Sequence, residues 1–195
     1  MVVKKEVCNK LSDQEIIQKS LEDLNYFACL YDRYEPKLLR YIKKISMADH
    51  EEASDILQDA FIKMWKNLNS YDNRLKLSSW LYRIVHNETI SYCRKKRSFG
   101  KNNKLDVEDI RLADLPDEQE LEVDPEMRFF LTREILNKLA LKYREVLVLK
   151  FMEKMSYEEI SDVLKIPEGT VATRMNRAKK MFKTIAKKEN ISFIG

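Results

Sequence analysis

Three glycines and four prolines are all that interrupt a chain of 195 residues, so turn-rich β architectures and glycine loops that cradle phosphates have almost nothing to be built from. Cysteine is as sparse. Cys8, Cys29 and Cys93 are odd in number and lack short spacing, so neither a disulfide framework nor a cysteine metal site is expected, and the thiols should be reduced and intracellular. Two histidines, His50 and His86, are too few for a transition-metal centre, and no metal or cofactor is expected. No run of about 18 apolar residues occurs, and the two lysines near the N-terminus have no apolar stretch behind them; neither membrane insertion nor a secretory signal is expected. Nucleophile-elbow and H-E-x-x-H patterns are missing too, which argues against an enzyme.

What is abundant is charge. Charged residues make up 35% of the chain and hydrophobic ones 44%, the mixture of long helices packed through one face, and the fold class expected is all-α. The net charge of +4 is small, but its distribution is not even. Residues 1–103 hold 19 basic and 14 acidic side chains, residues 104–126 hold two and ten, and residues 127–195 hold fifteen and eight. Two basic blocks thus flank an acidic one. The acidic stretch, KLDVEDIRLADLPDEQELEVDPE, contains two prolines and no helical stripe, so it reads as an extended linker between two small helical domains. A solvated spacer is the plain reading of such a run; mimicry of nucleic acid, or passage through a positively charged channel of a partner, is the sharper one.

From Asp49 the chain runs DHEEASDILQDAFIKMWKNL. Asp49 and Glu52 have capping-box spacing, and Ala53, Ile56, Leu57, Ala60, Met64 and Leu68 recur at helical intervals. A second stripe, Asp55, Gln58, Asp59 and Ile62, keeps the same spacing but is mostly polar, and should face solvent or a partner. The next helix, over Ser78 to Arg97, should bury Leu81, Ile84 and Val85, with Arg83, Asn87 and Arg94 on another side. It ends in Arg94-Lys95-Lys96-Arg97. Asn69 to Arg74 precede it as a polar loop. Trp80, Tyr71 and Tyr82 could stack on unpaired bases, asparagines could read base edges, and the terminal cations could neutralise phosphates. The rival reading makes Trp80 and Tyr82 core and boundary residues of the helix, and for Trp80, beside Leu81 at a helix start, core is the favoured reading.

Beyond the acidic stretch, Met127 to Ala140 and Lys142 to Met152 carry apolar stripes of two short helices. Ser156 and Glu159 then form a capping box opening YEEISDVLK; Pro167 and Gly169 interrupt, and TVATRMNRAKKMFKTIAKK resumes. This is a helix-turn-helix pattern. In its last helix Val171, Met175, Ala178, Phe182 and Ile185 form the core stripe, leaving Thr173, Arg177, Lys180 and Thr184 opposite, with Arg174 beside them. Such a helix suits a DNA major groove, its N-terminal side chains reaching base edges while Lys179, Lys180, Lys183, Lys187 and Lys188 lie near phosphates. Eight basic residues against Glu168 alone between Lys165 and Lys188 fit that use. An amphipathic helix with a solvated basic face is the plain alternative.

Taken together, FACLYDRYEPKLLRYIKKIS, ASDILQDAFIKMWKNL and SSWLYRIVHNETISYCRKKR resemble regions 2.1 to 2.4 of the bacterial sigma-70 family, and LNKLALKYREVLVLKFMEKMSYEEISDVLKIPEGTVATRMNRAKKMF resembles its region 4. Two blocks and a short linker are similar to the extracytoplasmic function (ECF) group. The resemblance implies an N-terminal arm over residues 1–20, region 2 over 21–98, a linker over 99–126 and region 4 over 127–190. It implies a cytoplasmic subunit whose partners are core RNA polymerase, promoter DNA and an anti-sigma factor. Asp55, Gln58, Asp59 and Ile62 would bind the clamp of the β′ subunit. Asn69, Tyr71, Asn73, Trp80, Arg83, Asn87, Arg94 and Arg97 would hold the non-template strand of the −10 element. Thr170, Thr173, Arg174, Arg177 and Lys180 would read the −35 duplex, the apolar surface of region 4 meeting the β flap. Three positions depart from the family pattern: Ser91 for a frequent Asp, Ala140 for a frequent Pro, Ser161 for a common Ala.

A stand-alone helix-turn-helix regulator, its N-terminal helices serving dimerisation or sensing, is the competing expectation; it should bind duplex without polymerase. A protein-binding helical module would not require Arg174 and Arg177 to face outward.

Overall fold

A computed structural model describes residues 3–99 and 133–188. Among them every regular element is a helix: α1 (Lys5–Lys10), α2 (Asp13–Glu22), α3 (Phe27–Ser46), α4 (His50–Lys66), α5 (Leu77–Phe99), α6 (Arg133–Lys138), α7 (Leu141–Leu147), α8 (Tyr157–Leu164) and α9 (Glu168–Lys188). The expected acidic linker and residues 127–132 of the expected helix from Met127 lie outside the described residues. The chain divides into two compact units, the first through Phe99 and the second beyond it apart from Asp162–Leu164.

In the first unit, α3, α4 and α5 pack on one another. The stripe Leu30, Tyr34, Leu38, Tyr41, Ile42, Ile45 lies at helical intervals and buries one face of α3 against Ala53, Leu57, Ala60 and Met64 of α4 and Leu81 and Val85 of α5. Each buried Leu or Ile contributes roughly 1.5–3 kcal/mol. Ile84, expected in that core, is only half-buried. The ends of α4 are set locally. Asp49 accepts the backbone N–H of Glu52, whose carboxylate accepts that of Asp49, satisfying donors that the first turn leaves orphaned. Helix α3 stops where Met47 enters the left-handed region at φ 58°.

The N-terminal arm is helical and docked, not merely a leading strand of chain. Ser12 and Glu15 make a capping box for α2, and Arg33 of α3 holds the bend before it: its guanidinium donates to the carbonyls of Cys8 and Leu11 and to Asp13, each at 2.7 Å. Asp13 also accepts the Tyr34 hydroxyl. The reduced thiols expected from composition are corrected here. Cys8 and Cys29 are joined as a disulfide, because the α1–α2 bend carries Cys8 back onto the start of α3, a proximity that residue spacing does not encode. Closing the 21-residue separation restricts the unfolded chain and is worth about 3 kcal/mol in the loop-entropy account.

In the second unit α7 runs into one turn of π-helix, Val148–Met152, and α6 and α7 pack against α9. Arg144 is buried and donates to the carbonyls of Leu136 (2.7 Å), Asn137 (3.2 Å) and Leu139 (3.1 Å), closing the open end of α6 with a charged donor. Ser156 and Glu159 form the anticipated capping box on α8. The turn that follows differs from expectation. Lys165, at φ 53°, makes the left-handed stop; Gly169 lies inside the first turn of α9 with no positive φ and nothing within 4 Å of where a Cβ would stand. Pro167 starts that helix instead, its carbonyl accepting the N–H of Thr170 at 2.9 Å and of Val171 at 3.1 Å. Ser161, one of the three departures, donates its hydroxyl to the Ile166 carbonyl at 2.6 Å and so ties the turn.

Candidate nucleic-acid interface

Three surfaces hold the residues singled out in the sequence. On α4, Asp55, Gln58, Asp59 and Ile62 are all exposed, Ile62 at 44%. Beside them lies a feature that the stripe did not disclose: an open groove of about 460 Å³ between α3 and α4, lined by Phe27, Tyr31, Gln58, Phe61, Ile62 and Trp65 among others. Phe27 meets Trp65 edge-on at 5.5 Å, and Tyr31 lies over Phe61 at 4.6 Å. The i, i+4 pairs Phe27–Tyr31 and Phe61–Trp65 were the available signal, but which faces of two helices meet is a tertiary fact.

The second surface is the loop before α5. Asn69 and Asn73 are exposed. Asp72 accepts the N–H of Arg74 and is gripped by its guanidinium at 2.7 to 3.0 Å, and that hydrogen bonding holds the Asp72 carboxyl down at about 2. The loop tip therefore neutralises its own charge and leaves Asn73 standing between the pair. Tyr71 is half-buried, its hydroxyl donating to the Leu75 carbonyl at 2.6 Å. Trp80 is 4% exposed and packs on Tyr71 at 5.4 Å; it is a core residue, as its place beside Leu81 at a helix start implies, and the loop folds over its ring. Tyr82 is likewise buried, edge-on to Tyr41. Along α5, Arg83 is half-buried, while Asn87 and Arg94 are exposed; the side chain of Arg97 lies outside the described residues. Lys96 is engaged with Glu52 at 2.7 Å and with the Tyr92 hydroxyl at 2.8 Å.

The third surface is α9. Val171, Met175, Ala178, Phe182 and Ile185 are all buried, which leaves Thr173 and Arg177 exposed and Thr170, Lys180 and Thr184 half-buried. The hydroxyls of Thr173 and Thr184 donate to their own helix, to the carbonyls of Gly169 and Lys180. Two cations differ from the expected picture. Lys179, assigned to phosphates from its place in a basic run, is 8% exposed; burial, with Lys150 and Lys183 nearby, lowers its pKa, so it belongs to the packed side. Arg174 donates to Glu145 of α7 at 2.8 Å. Glu145 is buried, and loss of water raises its carboxyl to about 7 against the opposing pull of Arg174. Glu145 is the functional neighbour that sequence reasoning missed, its 29-residue separation from Arg174 giving no local sign.

The sigma-70 region 2 family matches residues 30–99 and the sigma-70 region 4 family matches residues 130–182. The ECF RNA polymerase sigma factor SigW of Bacillus subtilis is 35% identical over 173 residues, covering 85% of this chain and 91% of the relative. The ECF RNA polymerase sigma-E factor of Haemophilus influenzae is 26% identical, covering 90% and 95%. Among solved structures, CnrH in complex with the cytosolic domain of CnrY superposes with a TM-score of 0.66 at 22% identity over 90% of this chain and 97% of that one. The sigma factor RpoE of Bartonella quintana, in complex with the anti-sigma factor NepR, gives 0.61 at 24% over 83% and 96%. The two matched regions in their order, with the likeness to SigW along most of both chains, make this chain a member of the sigma-70 family and an ECF sigma factor, which directs RNA polymerase to promoters.

Proposed function

We propose that the two units divide the promoter between them: region 4, from about residue 127 to 190, reads the −35 element as duplex, and region 2, from about 21 to 98, grips the polymerase and the melted −10 strand. The observation that carries the reading is α9, whose apolar stripe is fully packed while Thr173 and Arg177 stand in solvent at its N-terminal half, where a recognition helix meets base edges. Gly169 adds to it, since open space at the first turn lets a phosphate backbone come close. Arg177 contacts a base, Lys180 and the lysines after it hold phosphates, and Thr170 supports the entry turn. Arg174 has a double duty, one edge of its guanidinium bound by Glu145 and the rest available to DNA.

In region 2, Asn69, Asn73, Arg83, Asn87, Arg94 and Arg97 track the unpaired non-template strand, asparagines at base edges and arginines at phosphates. Tyr71 and Trp80 shape the loop that receives a flipped base, supporting it from within. Asp55, Gln58, Asp59 and Ile62 dock on the β′ clamp, and the apolar surface of region 4 on the β flap. The acidic linker threads toward the RNA exit path. The protein works in the cytoplasm by binding and carries out no reaction of its own. CnrH and RpoE are both solved with protein partners, which supports an anti-sigma factor as a further partner here.

Pull-down with core RNA polymerase followed by run-off transcription from genomic fragments tests this reading. Core binding, with specific transcripts only when both components are present, is the expected result; retention of duplex fragments without core would favour the stand-alone regulator. Arg177→Ala should lower promoter-specific transcription about tenfold, the cost of one base contact, with core affinity unchanged; equal loss of both would remove that role. Gln58→Ala with Asp59→Ala should weaken core binding about tenfold in a direct binding titration, and unchanged affinity would remove the clamp assignment.

A further inference from the structure

We propose that Cys8 and Cys29 form a reversible thiol–disulfide latch that sets how firmly the N-terminal arm braces the loop over residues 67–76. The proposal rests on the reading above that this polymerase subunit works in the cytoplasm, where disulfides are usually transient and redox-sensing instead of permanent staples.

The coupling is continuous. Cys8 lies on α1 and Cys29 on α3, both buried. Helix α1 has six residues and no side-chain cap at its start, too short to hold itself together, so it depends on the disulfide and on Arg33. That same arginine binds the Cys8 carbonyl, the Leu11 carbonyl and Asp13. Asp13 accepts the Tyr34 hydroxyl and acts electrostatically on Tyr71 of the loop. Helix α2, which begins at Asp13, packs against Leu68–Ser70. A change at the sulfurs therefore reaches the proposed strand-holding loop through one bend and one carboxylate.

The chemistry closes with glutathione disulfide as oxidant. When α1 frays, the Cys8 thiolate attacks one sulfur of glutathione disulfide and releases the first glutathione. The Cys29 thiolate then attacks the Cys8 sulfur of the mixed disulfide and releases the second; the two thiol protons end on the two glutathiones. An excess of glutathione reverses both steps. In the oxidised form α1 is pinned to α3; in the reduced form it is free to leave, and Arg33 and Asp13 lose part of their framework.

The test uses the full chain with Cys93→Ser, so that every thiol counted belongs to the pair. Equilibrated against a series of glutathione to glutathione disulfide ratios, the intact mass should move between two values that differ by two hydrogens. Hydrogen exchange should be slower in the oxidised form by about tenfold in α1 and about threefold across residues 67–76. Cys8→Ser should show the faster pattern at every ratio. With core polymerase on a promoter recovered by run-off, oxidised protein should give open complexes that live several-fold longer. Thiols that never oxidise, a bond that survives excess dithiothreitol, or identical exchange over 67–76 in the two forms would overturn the latch. A latch that works in exchange while core binding fails would leave it standing and remove the polymerase reading; core binding with no redox difference would do the reverse.

Discussion

Acidification from pH 6.5 to pH 5 should destabilise the first unit by about 2 kcal/mol, and a full descent to pH 4 by about 3 kcal/mol. The cause is His86, buried in α5 with its Nδ1 2.9 Å from the hydroxyl of the fully buried Tyr41. Burial disfavours the imidazolium and pushes the His86 pKa from 6.5 down to about 4. The sign follows from proton counting: above pH 6.5 neither state binds a proton here, and between 6.5 and 4 the unfolded chain binds one that the folded unit refuses, so stability is present above 6.5 and lost as pH falls through 4. Both tryptophans, Trp65 and Trp80, lie in this unit, so denaturant titrations followed by tryptophan fluorescence at pH 6.5, 5.75 and 5 report it alone. His86→Gln should flatten the dependence over that range. A slope in the variant as steep as in the wild type would place the proton elsewhere.

Arg174→Ala should cost the second unit about 3 kcal/mol above pH 7 and well under half of that at pH 5, the penalty for removing the cation from a buried ion pair. The carboxyl of Glu145, raised to about 7 by burial even with Arg174 beside it, takes up a proton in acid and no longer needs a cation. The wild-type linkage runs opposite to that of His86. A folded value above the ordinary 4.5 means that this contribution is fully present below 4.5 and is lost as pH rises through about 7. Protection factors of the α9 amides at pH 5 and pH 8, each exchange rate divided by the intrinsic rate at that pH, measure both effects, with Glu145→Gln expected to abolish the difference between the two pH values. Equal destabilisation by Arg174→Ala at both would show that the pair carries no buried charge. On the proposed reading, loss of promoter activity in an Arg174 variant would mix a DNA contact with a packing defect, whereas an Arg177 variant would report DNA alone.

Legibility in the sequence followed the range over which each feature is encoded. The core stripe of α9 and the capping boxes at Asp49–Glu52 and Ser156–Glu159 are written within a few turns of one helix, and the structure repeats them. The box at Ser12–Glu15 is written just as locally, and it opens a helix inside the expected arm. What joins distant positions had no local sign in the Cys8–Cys29 bond and the Glu145–Arg174 pair, and only a partial one in the aromatic groove, whose i, i+4 pairs do not say which faces of α3 and α4 meet. Lys179 shows the complementary error, in which residue type outweighs angle: a lysine in a basic run sits on the packed flank of α9, whereas Trp80, beside Leu81 at a helix start, is core as that position implies.

The reciprocal caps on α2, α4 and α8 also bear on how the chain finds its fold. The slow step for an isolated helix is closing its first turn, which fixes several dihedral angles for one hydrogen bond. Each of these helices opens with four residues that supply two extra bonds at that moment, from side chains already in place. Nucleation there needs no contact with the rest of the molecule, so most of the entropy is lost over short separations, as in fast-folding helical proteins. On a ribosome, α2 and α4 would begin to order as soon as their own first turns emerge, before α5 has been synthesised to complete the core.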